Sequence, residues 1–156
     1  MAARESPGVQ RHDALELDAR FELDAARVAA ELVNDEIVVI DFSTGKYHGI
    51  RGSGVTVWRL LEAGFSTREI IEHLSASVTS FDELASRGVI AFISELEAQG
   101  LWVRSQQGAP APTSTLELSP GPFEAPELDT RDDLRDYLVL DPIHDVDERG
   151  WPNARR

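Results

Sequence analysis

The residues best suited by type to do chemistry lie near the end of the chain, where Asp141, His144, Asp145, Asp147 and Glu148 gather around a single imidazole. Imidazole with carboxylates is a metal-ligand set, but this spacing fits no standard ligand pattern, and an acidic, Pro-bounded tail pre-organises nothing. Cysteine is absent from the sequence, which removes thiolate nucleophiles, Cys-ligated metals and disulfides, and leaves the redox compartment unread. No Ser-His-Asp arrangement or acid–base carboxylate pair stands out, and Gly52-Ser53-Gly54 is too short to cradle a phosphate; it reads as a helix entry. The sequence therefore assigns no catalytic residue, no metal and no cofactor, and points to a protein that is not an enzyme. Apart from side chains, a strand at a sheet edge leaves backbone N–H and C=O groups without ladder partners, and such an edge is most often simply solvated.

The elements that would present such an edge centre on residues 36–50. Ile37 to Phe42 is rich in β-branched residues and bounded by Asn34-Asp35 and Ser43-Thr44-Gly45, so it reads as a central strand. Residues 46–50, with Tyr47, His48 and Gly49 inside, form a shorter, more polar partner that reads as the exposed edge of a hairpin. A strand near Arg27 to Leu32 is expected on the other side of the central one, although Ala25 to Val33 is also compatible with a helical turn.

Three helices follow. Ser53 is placed to cap the first, which carries Val57, Trp58, Leu60 and Leu61 and stops at Gly64. Ser66-x-x-Glu69 has the spacing of a capping box and opens the second, with Ile70, Ile71 and Leu74 on one face. Ser80-x-x-Glu83 repeats that spacing before a longer third helix, whose apolar positions are Leu84, Val89, Phe92, Ile93 and Leu96. Gly100 ends it, and Leu101-Trp102-Val103 returns the chain to the core. Trp58 and Trp102 read as core residues.

Composition bounds the partners. The chain has 156 residues, with Lys+Arg 15 against Asp+Glu 28 and a formal charge of -13, a field that repels phosphate backbones and anionic membranes. Neither nucleic acid nor membrane is an expected partner. No apolar run reaches membrane length and the N-terminus lacks the apolar segment of a signal peptide, so the cytoplasm is the expected location. The expected organisation is a flexible arm over residues 1–20, one folded domain over 21–104, a Pro/Gly-rich linker over 105–128 and an acidic tail over 129–156.

The order and spacing of these pieces resemble the PqqD-like family, also called RiPP recognition elements. The matching residues are Asp35-Glu36 before the central strand, Ser43-Thr44-Gly45-Lys46-Tyr47 at the hairpin, Trp58-Arg59-Leu60-Leu61, Ser66-Thr67-Arg68-Glu69-Ile70, and Phe92-Ile93-x-x-Leu96-x-x-x-Gly100-Leu101. One departure is Gly49-Ile50-Arg51-Gly52, where members often carry a Leu-Asn pair. The resemblance implies an α+β, winged-helix-like fold, in which a small three-stranded antiparallel sheet packs on three helices. It also implies a function: binding the leader segment of a ribosomally made precursor peptide and presenting it to a modifying enzyme such as a radical SAM enzyme, a leader protease or a cyclase. The leader would add as a strand to the outer edge of the hairpin, in a groove shared with the third helix. The implied peptide-binding residues are Lys46, Tyr47, His48, Gly49, Ile50 and Arg51 on the edge, with Ile90, Ile93, Ser94 and Glu97 on the helix.

Two other classes are compatible with the same elements. A winged-helix transcriptional regulator would need a basic reading helix, whereas Glu83, Glu95 and Glu97 make the third helix acidic against Arg87. A scaffolding subunit would have its own C-terminal tail as the docked or modified peptide, with Leu134, Tyr137 and Leu138 as the amphipathic stretch that competes for the groove. An open edge would also allow a homodimer.

Overall fold

A computed structural model describes residues 16–106, 112 and 116–132. The stretch around Leu134, the His144 carboxylate cluster and Trp151 lie outside the described residues. The chain runs β1 (Phe21–Leu23), β2 (Val28–Val33), β3 (Glu36–Asp41), β4 (Lys46–Arg51), α1 (Ser53–Glu62), α2 (Thr67–Ser77), β5 (Val78–Thr79), α3 (Glu83–Ala98), β6 (Trp102–Arg104), β7 (Gly121–Pro122) and β8 (Glu127–Arg131).

The principal sheet has the order β2-β3-β4-β8, all antiparallel. It therefore holds four strands rather than the expected three. β3 is central, with Ile37, Val39 and Asp41 turned into the core as the period of a strand requires. On β2 only Val28 is buried, because the rest of that strand runs along the outer margin of the sheet.

Each helix stops and starts for local reasons, two of which differ from the sequence expectation. α2 has the capping box: Ser66 accepts from the backbone of Glu69, and the Glu69 carboxylate accepts from the Ser66 N–H at 2.8 Å. α3 does not, since Ser80 occupies a turn at φ 62° and Asp82 is the cap, accepting from the Ala85 N–H at 2.8 Å. Ser53 does not cap α1 either. Gly52 stands at that position without a side-chain cap, and the Ser53 N–H donates instead to the Glu124 carbonyl at 3.3 Å.

One core joins sheet and helices. Trp58 and Trp102 are each 1% exposed and meet edge to face at 5.1 Å, a geometry worth about 0.5–1.5 kcal/mol beyond area burial. Val89, Phe92, Ile93 and Leu96 bury one face of α3, while Leu84, in its first turn, is exposed. β1 pairs with β6, which brings Trp102 back beside Leu23. Arg20 ties this end to α2 through two bonds to Glu69, at 2.9 and 3.0 Å, and one to the Gly64 carbonyl.

The stretch expected to be a linker has structure in its second half. Leu116, Leu118, Phe123 and Leu128 pack against the core, and β7 pairs in parallel with β5. The Phe123 ring stands edge to face on Phe81 at 5.2 Å, and the Leu116 carbonyl lies 2.9 Å from His73 Nε2. Prolines keep this segment extended without keeping it from burying the apolar residues between them. Residues 116–131 thus form a strap that passes over α2 and the entry of α1 before ending on the sheet.

Candidate functional site

The proposed edge residues are contiguous on β4, and the structure changes what lies beside them. β4 is not an edge. β8 pairs with it antiparallel over five positions: Tyr47 with Arg131, His48 with Thr130, Gly49 with Asp129, Ile50 with Leu128 and Arg51 with Glu127. While β8 is paired, the backbone groups that a homodimer through β4 would use are taken.

Opposed residues share a sheet face, so the register sorts the contacts into two sets. On the core face Leu128 lies against fully buried Ile50, and His48 Nδ1 is 2.9 Å from Thr130 Oγ1. His48 is 1% exposed. Burial, with some help from Lys46, pushes its pKa below the ordinary value against the opposing pull of Asp41 and Asp132, so the neutral ring is favoured. On the other face Arg51 Nε lies 3.5 Å from Glu127, and Arg131 is held by Asp129 at 3.2 Å and by the Tyr47 hydroxyl, which together raise its pKa. Lys46 meets Asp132 at 3.5 Å beyond the last pair. A cavity of about 160 Å³ opens on this second face between Glu36, Gly49 and Arg51 of the hairpin and Asp129 and Arg131 of β8.

Behind β4, the hairpin is fixed by Asp41. Burial works to raise the pKa of this carboxyl, but bonds from the Ser43 hydroxyl at 2.6 Å and N–H at 2.9 Å, with Thr44 and the charge of Arg27, outweigh it and hold the pKa below the ordinary value. Arg27 lies 3.5 Å from Asp41 and also donates to the Gly100 carbonyl, linking the hairpin turn to the end of α3.

The helix half of the expected site is elsewhere. Ile90, Ile93, Ser94 and Glu97 line a cavity of about 280 Å³ with Leu17, Phe21 and Arg104, and no β4 residue takes part in its wall. Which neighbour this stripe of α3 faces depends on β1, whose pairing with β6 no local pattern reveals. The residues that do accompany β4, Leu128 and Thr130 above all, were missed. Their only local signal is the alternation of Leu128 and Thr130 with charged Glu127, Asp129 and Arg131 in a Pro-preceded segment. Among the described residues no group of His, Asp and Glu is positioned to hold a metal ion, and no helix is long and apolar enough to cross a membrane.

Comparison with known proteins finds two likenesses. A solved structure, "TbiB1 in Complex with the TbiA(beta) Leader Peptide", aligns over 58% of this chain and 99% of that one, with 27% identity and a TM-score of 0.47. No curated protein matches. Residues 36–101 match the family model described as Coenzyme PQQ synthesis protein D (PqqD). The match opens with β3, takes in β4 and all three helices, and stops short of the strap, so the likeness to PqqD is carried by residues 36–101.

Proposed function

We propose that this protein is a non-catalytic peptide-binding module that takes up the leader segment of a ribosomally made precursor peptide by strand addition to β4 and presents it to a modifying enzyme. The observation that carries this reading is the β4–β8 ladder: in a PqqD-like domain, Tyr47 to Arg51 accept an antiparallel strand from a remote part of the sequence. Main-chain pairing of this kind supplies affinity with little regard to sequence, while the side chains flanking it select. Lys46, Tyr47, His48, Gly49, Ile50 and Arg51 are the contact residues under this reading. Ile90, Ile93, Ser94 and Glu97 line a different cavity and would serve as a secondary contact. A nucleic-acid reader is disfavoured by the acidic α3 and the overall charge of -13.

The absence of cysteine from the sequence makes the test specific. A single cysteine at Arg51→Cys, on β4, is compared with one at Val33→Cys, on β2 at the far margin of the sheet, using leader peptides from neighbouring genes that carry a cysteine at successive positions. Disulfide trapping at Arg51→Cys, restricted to one register and absent at Val33→Cys, is expected. Equal trapping at both sites would sink the β4 assignment.

A second reading has an observation of its own. The strand on β4 belongs to the same chain, which favours a scaffolding subunit with its own docked peptide, although the strand is Glu127–Arg131 and the stretch around Leu134 lies outside the described residues.

A further inference from the structure

If β4 takes a peptide, the strand already lying on it carries information about which peptide. β8 and the residue after it read Glu-Leu-Asp-Thr-Arg-Asp, and three of the six are carboxylates laid along a strand bearing Lys46, His48 and Arg51. Two of these carboxylates meet cations: Glu127 lies 3.5 Å from Arg51, and Asp132 3.5 Å from Lys46. The two residues on the core face are matched in another way. Leu128 covers Ile50, and the hydroxyl of Thr130 partners a buried imidazole that would otherwise lose a hydrogen bond on its Nδ1 side. Gly49, between them, bears no side chain, and a Cβ there would fall 2.2 Å from the Glu36 carboxylate, so the strand opposite meets a low point of the surface.

The occupant is also built to leave. Its ion pairs are solvent-exposed, with the Asp132 side chain 82% accessible, and pairs of this kind hold weakly. Further anchors of the strap lie off the edge: Phe123 on Phe81, β7 on β5, and the Leu116 carbonyl at His73. These contacts would hold residues 116–123 in place if 127–132 lifted from β4. A strand held in this way competes as if present at roughly mM concentration.

We propose that the β4 edge selects an acidic strand laid antiparallel to it, with an apolar residue over Ile50 and a hydroxyl residue at His48, and that Glu127 to Asp132 is the resident copy of that ligand, which a free peptide displaces. This rests on the strand-addition reading above and adds to it the ligand's chemical pattern and the competitor already in the chain.

The probe is a fluorescein-labelled synthetic peptide of residues 122–132, titrated by anisotropy into the full chain and into the full-chain variant Glu127→Lys/Asp129→Lys, in which the resident strand is weakened at solvent-facing positions. Weak binding to the unmodified chain and binding at least about tenfold tighter to the variant are expected, as a tethered competitor predicts. The same peptide with Lys in place of Glu127, Asp129 and Asp132 should not bind. Equal affinity for both proteins, or indifference to peptide charge, overturns the proposal. Should the variant fold poorly, hydrogen exchange on the unmodified chain decides: excess free peptide must speed exchange at residues 127–131 and leave β3 unchanged, and no change there overturns it. A precursor leader that is trapped at Arg51→Cys while the 122–132 peptide binds neither protein would leave the proposed function standing and remove this inference alone.

Discussion

His48 is the residue on which the sheet contact turns. It is buried, it lies 2.9 Å from the Thr130 hydroxyl, and its pKa is pushed below the ordinary histidine value of 6.5, chiefly by burial. The neutral ring is thus the form that fits under β8. Between the lowered folded value and 6.5 the folded chain binds fewer protons than the unfolded or undocked one, so the contribution is complete above about 6.5 and is lost as the pH falls through the folded value. Asp41 on β3 and Asp132 past β8 oppose this trend and Lys46 supports it, with burial deciding the direction. Hydrogen exchange at residues 127–131, corrected for the intrinsic rate, should therefore rise between about pH 7.5 and about pH 5.5. Thr130→Val should make docking poorer at the upper pH by removing the partner of a buried nitrogen, a loss of about 1–3 kcal/mol. Unchanged exchange in both comparisons would mean that His48 plays no part in holding the strand.

At the scale of elements, the strap and the helical domain meet at Gly52. Its φ of 62° and ψ of -142° lie where essentially only glycine is at ease, and a Cβ would come 2.4 Å from the Ala125 carbonyl oxygen. Gly52→Ala should cost about 1–3 kcal/mol in urea unfolding from backbone strain alone, and should also push the strap away from the α1 entry. A variant as stable as the parent would show that the close approach of residues 124–125 is not part of the fold. What was legible in the sequence follows the same division between local and remote. β3, β4 and the Ser66 capping box depend on neighbours within a few residues and were read correctly, as were the buried faces of Trp58 and α3. The Ser80 box failed because two motifs overlap within three residues, and the turn after β5 claims Ser80 while Asp82 takes the cap. β8 was illegible because its stability comes from β4, far away in sequence, and a strand of Glu, Leu, Asp, Thr and Arg carries little apolar pattern of its own. Around the candidate site, this meant that strand β4 was legible and the strand paired with it was not.

For the whole molecule, the question is whether strap and domain unfold as one unit. β3 is paired on both sides and places Ile37, Val39 and Asp41 in the core, each no more than 3% exposed. β8 is paired only with β4 among the described residues, and both Glu127 and Arg131 face solvent. Local openings draw on the elements with fewest buried contacts, so β8 should open without β3. In native-state hydrogen exchange, amides of β3 and of α1 around Val57 and Trp58 should exchange only through global unfolding, with a strong denaturant dependence. Those of β8 should exchange at least about tenfold faster with a weak dependence, as expected when little surface is exposed. The portion at Gly121–Pro122 and Phe123, held by β5 and Phe81, should fall between the two. Equal protection and equal denaturant slopes for β8 and β3 would instead make the fourth strand a permanent part of the sheet. A free peptide could then reach β4 only from the unfolded chain, and the proposed strand exchange would be excluded.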